Sequence, residues 1–86
     1  MGAPKRMFII IPNDGNVRKI RDLIHRYNDV VFVGDVPALD KKALIIMLHD
    51  NDAHELKRIV RELEKKKKAK VIDLLLVKGE KIEEGS

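Results

Sequence analysis

The 86-residue chain has no cysteine and one serine, the terminal Ser86. The missing cysteine removes disulfide scaffolds, thiolate metal sites and a cysteine nucleophile together, and fits a reducing, cytoplasmic-type setting. With Ser86 as the sole serine, a Ser-His-Asp set has nothing to be built on. Aromatic residues are reduced to Phe8, Tyr27 and Phe32, too few for the stacking platforms on which sheet-based binders hold nucleic-acid bases. The patterns GxxxxGK[ST] and GxGxxG are absent, so no phosphate loop is written here. Apolar runs reach only six residues, as in ALIIML at 43–48, far below the ~20 of a membrane-spanning helix. The opening MGAPKR lacks the apolar stretch of a signal peptide. The expectation is a soluble protein that is not an enzyme, with no catalytic residue, cofactor, metal or membrane partner.

What the chain has in quantity is charge of both signs, 18 lysines and arginines against 14 acids, for a formal +4. Such a mixture reads as a solvated surface, and the lysine run 65–68 as the exposed end of a helix, which argues against a nucleic-acid partner. A chain of this length forms one domain and buries only roughly 60% of the surface its unfolded chain exposes. Its own core is therefore modest, and a partner subunit would add to it.

The organisation follows from hydrophobic period and turn residues. Met7–Ile11 is an apolar run closed by Pro12, which cannot donate a ladder hydrogen bond, and reads as the first strand. NDGN follows, with Asn13, Asp14 and Asn16 as candidate caps for a first helix. On that helix Val17, Ile20, Leu23, Ile24 and Tyr27 recur at helical spacing. Val30–Val33 is a second strand ending near Gly34-Asp35, and DVPALDKK is a loop too short for a crossover helix, so ALIIML returns as its antiparallel neighbour. Asp52 and Glu55 have capping-box spacing ahead of a second helix whose apolar stripe is Leu56, Ile59, Val60 and Leu63. Val71–Val77 is the fourth strand, broken only by Asp73, and EKIEEGS is a polar, frayed tail.

The order β-α-β-β-α-β predicts a ferredoxin-like α+β fold, a four-stranded antiparallel sheet with both helices on one face. One domain covers 1–86, with an ordered core of about 6–79 and a flexible tail at 80–86. In that architecture the second sheet face meets water, and each strand should alternate apolar with polar. These strands do not. The expectation is self-association into a homodimer or higher oligomer through an apolar sheet face. That face is either Leu44, Ile46, Leu48, Ile72, Leu74 and Leu76, or the opposite set Ile45, Met47 and Leu75.

Three histidines could carry chemistry. HDNDAHE gathers His49, Asp50, Asp52, His54 and Glu55, all metal-ligand types, but at a spacing that matches no closed motif, and its acids are expected as helix caps. His25 reads as a helix-boundary residue without an acid-base partner.

The element order, with LIHRYND ahead of the second strand, resembles the ligand-binding C-terminal domain of nickel-responsive repressors and related ACT-like regulators over residues 7–77. The resemblance implies sheet-mediated oligomers and a small effector at a subunit interface. It would align His25 with a nickel ligand, but the hairpin reads GDVPALDKKA and cysteine is missing, so the nickel set itself is not implied. The chain also resembles a computationally designed or redesigned protein. Its helix ELKRIVRELEKKKK is composed almost wholly of strong helix formers with charge matched to the macrodipole, and MG and GS stand at its ends as in an engineered chain. That resemblance implies no native reaction.

Overall fold

The computed structural model describes residues 4–13, 15–28 and 30–77, and the backbone of 81–84. Two helices and an open antiparallel sheet follow one another as β1 (Lys5–Pro12), α1 (Val17–His25), β2 (Phe32–Val36), β3 (Lys41–His49), α2 (His54–Lys65), β4 (Ala69–Val77) and β5 (Lys81–Glu84). The first four strands and two helices make the ferredoxin-like arrangement, and the sheet order is β2-β3-β1-β4-β5.

A fifth strand, Lys81–Glu84, joins the edge of the expected four-stranded sheet, within the segment the sequence reads as a tail. Lys81–Glu84 pairs antiparallel with Val77–Leu74, placing Ile82 opposite Leu76. The edge of β4 offers unpaired amides and carbonyls, and the chain satisfies them by folding back. KIEE carries one apolar residue, too little pattern to announce a strand. Strand β2 is also displaced. Gly34 and Asp35 lie inside it, because the hairpin turns later, through a short 3-10 segment at Pro37–Leu39 and the left-handed Asp40 at φ 52°.

One sheet face carries the core. Phe8 and Ile10 of β1, Leu44 and Ile46 of β3 and Ala69 of β4 cluster with Ile20 and Ile24 of α1 and Leu56, Val60 and Leu63 of α2, so both helices cover the same side. Within the expected stripe of α2, Ile59 is only partly buried and packs at the margin.

The helix ends differ from the caps the sequence suggests. Helix α2 begins after Ala53 with no side-chain cap, and Asp52 lies in a preceding 3-10 turn, while Glu55 instead accepts from Arg58 at 3.0 Å. Asn16 precedes α1, also without a side-chain cap bond. The turn before it needs Gly15 at φ 74°, a conformation side chains resist. Asp14, the third candidate cap, lies outside the described residues. At the far end of α2 the Lys67 amide donates to Glu64 O at 3.0 Å and the Lys68 amide to Leu63 O at 2.9 Å. That is a Schellman stop, with Lys67 in the left-handed position usually held by glycine. Asn13 ties β1 to this turn, its amide donating to Lys68 O at 2.8 Å and its side chain to Lys67 O.

Candidate functional site

The face away from the helices is built by the register of three central strands. Ile9 pairs with Ile45 on one side and Ile72 on the other, and Ile45 pairs with Phe32, which makes an unbroken apolar row across four strands. A second row runs Met47, Met7, Leu74. Beyond the first row Ala43 and Ile11 are buried, and Lys70 stands next to Ile11, while Lys5 with His49 closes the other end. At ~4.8 Å between strands and ~6.7 Å between same-face residues, the seven residues of these rows make a platform of roughly 230 Å². No described helix covers it. Phe32 is 62% exposed, Met47 43% and Ile72 39%, all large apolar side chains facing solvent.

This geometry redraws both sets expected from the sequence. Leu44 and Ile46 are fully buried under the helices and cannot meet a partner, and Leu48 packs at the edge of the same core. Ile72, Leu74 and Leu76 belong instead with Ile45 and Met47 on the open face, and Leu75 faces the helix side with Arg6 and Leu48. The cause is register. Strand β3 meets even positions of β1 with its own even positions, whereas β4 meets them with odd ones. Alternation within a strand was legible, but how strands share a face was not.

The helix side holds the one buried charged residue among those described, Arg6, which is 8% exposed. Its Nε donates to Asp50 Oδ1 at 2.7 Å and its Nη1 to Asp73 Oδ1 at 2.5 Å. Asp50 first, and then Asp73, hold the guanidinium protonated above its ordinary range, against the opposing effect of burial. Asp73, the single interruption of the apolar run Val71–Val77, is thereby explained. Asp50 is also fixed by its backbone, whose amide donates to Pro4 O at 2.9 Å. The sequence signal was there: an acid on an otherwise apolar strand needs a cation, and Arg6 stands just before the apolar run of β1.

The candidate metal residues are not assembled. His25 ends α1, His49 ends β3 and His54 opens α2, and no three metal-capable side chains converge among the described residues. A pocket of 510 Å³ lies between the β1–α1 turn and the β2–β3 hairpin, with Asn13 and Gly15 on one wall and Asp35, Asp40, Lys41 and Lys42 on the other. Lys42 spans the hairpin to Asp35 at 2.5 Å. Among the described residues no helix is long and apolar enough to cross a membrane. Comparisons with protein-family models, curated proteins and solved structures return no match to this chain.

Proposed function

We propose that this chain is an assembly unit, an engineered ferredoxin-like domain without a reaction of its own, which pairs with a second copy through the open face of its sheet. The observation that supports this reading is the row Phe32, Ile45, Ile9, Ile72 and its neighbour Met47, Met7, Leu74, bounded by Lys70 and Lys5 along the strands and by Glu84 of β5, opposite Leu74, at the sheet edge. A platform of this size lies within what single soluble chains expose, but it is the right size for the apolar centre of an interface that buries ~800 Å² per partner. A twofold pairing sets the patch against itself, apolar on apolar. The small core gives a further reason, since a domain of this length gains stability from a second copy. Sedimentation equilibrium over a concentration series tests it: a monomer–dimer equilibrium is the expected result, and a monomer at all concentrations sinks the reading.

The second reading is an ACT-like regulatory unit that binds a small polar effector, and the pocket between the β1–α1 turn and the hairpin favours it. Its two acids and two lysines would suit a ligand bearing both charges. Thermal shift against small charged metabolites separates the two readings, because a true effector raises the melting point by mass action.

A further inference from the structure

The charge of this chain is divided by layer. Residues 17–28 and 54–68, the two helices and the turns that end them, hold eleven of the 18 lysines and arginines and four of the 14 acids, a formal +7 that leaves −3 for the rest. All eleven of these cations are exposed except the half-buried Lys57. Among the described residues Glu55 takes Arg58 at 3.0 Å and Glu62 takes Lys66 at 3.6 Å. Lys57, Arg61 and Lys65 stand one turn apart along α2, at steps of ~6 Å, around a shallow depression they share with His54 and Arg58.

We infer that this helix layer binds duplex nucleic acid through its phosphates, without reading sequence. The aromatic shortage argues against a nucleic-acid partner only for the sheet face, where bases are stacked; a phosphate surface needs cations alone. Neither helix carries an aromatic platform for single strands. A helix that lies on a lipid surface sets large apolar residues beside its lysines, whereas Lys57, Arg58, Arg61, Glu62 and Lys65 alternate charge with charge. An acidic protein would dock around an apolar anchor, and the exposed large apolar side chains lie on the strands, the hairpin and the turn before β2, with Tyr27 after α1 as the exception. The duplex is what remains: a regular, rigid line of negative charge.

Fluorescence anisotropy of a labelled mixed-sequence duplex, with the full chain as titrant, tests the inference. For four phosphate contacts the affinity should fall about 100-fold between about 50 and 200 mM salt. Arg21→Glu with Lys65→Glu, both exposed, should weaken binding at least about tenfold and reduce the salt slope by about 1.8. Lys78→Glu with Lys81→Glu makes the same charge change outside the helix layer and should leave affinity within about threefold, as phosphate contacts and not net charge decide it. Equal loss in both pairs, absence of binding at low salt, or binding to anionic vesicles without binding to duplex would each overturn the proposal.

Discussion

Arg6 and Asp73 sit diagonally across neighbouring strands on the helix side of the sheet, joined at 2.5 Å through Nη1 and Oδ1. Their side chains are 9% and 16% exposed, so the pair is largely withdrawn from water, and Asp50 completes it. Removing the cation alone leaves two carboxylates facing each other in a poorly hydrated site. Arg6→Leu should cost about 3 kcal/mol in urea unfolding, the low end for a buried pair because Asp50 is partly open to water. Arg6→Leu with Asp73→Leu should recover most of that loss. Equal destabilisation in the single and double variants would mean that the ion pair is not what the strand depends on. Because the raised value lies on a group already charged, stability from Arg6 is fully present below its unfolded value and is lost only as pH rises through the folded one, in strong base.

The stripe of α2 ranks its own residues. Val60 is 1% exposed at the centre of the core, and Ile59 packs only at its margin. Val60→Asp should therefore abolish the cooperative melt, because an unpaired carboxylate would be buried. Ile59→Asp, which the sequence pattern alone would rank as equally severe, should leave a folded protein with a lowered midpoint. Circular dichroism melts of the two variants give the order directly.

Lys67 holds a left-handed conformation at φ 58° in the stop of α2. A side chain there costs ~1–2 kcal/mol, partly offset in glycine by its greater unfolded-state freedom. Lys67→Gly should raise stability by about 0.5 kcal/mol, and a loss of stability would contradict the geometry of this stop.

Strand β5 should be visible in hydrogen exchange. Ile82→Pro removes an amide and the extended pairing opposite Leu76, so amides along the 74–77 edge of β4 should exchange faster while those of β3 do not change. Unchanged protection along that edge would argue that the fifth strand does not pair.

Much of this fold could be read from local pattern. The helices show in the spacing of Ile20 with Ile24 and of Leu56 with Val60 and Leu63, and the short DVPALDKK connection forces β2 and β3 to be antiparallel. What escaped the sequence was set by distant partners. Strand β5 forms because β4 has an open edge, not because KIEE favours a strand. Ile72 and Ile45 share a face because both pair with Ile9, a fact of register that neither strand carries alone. The broken alternation of ALIIML and its neighbours was correctly a sign of an uncovered apolar face, but the residues on that face could be chosen only after the strands were in place.

The row through Ile9 is the proposed self-association surface. Ile72 and Phe32 stand at the two ends of that row and are exposed enough to accept lysine without disturbing the core. Light scattering coupled to size exclusion, on the parent and on Ile72→Lys and Phe32→Lys with their folds checked by circular dichroism, tests it most directly. The expected result is an associated parent and folded, monomeric variants; a parent that is already a monomer, or variants that associate as the parent does, would contradict self-association through this row.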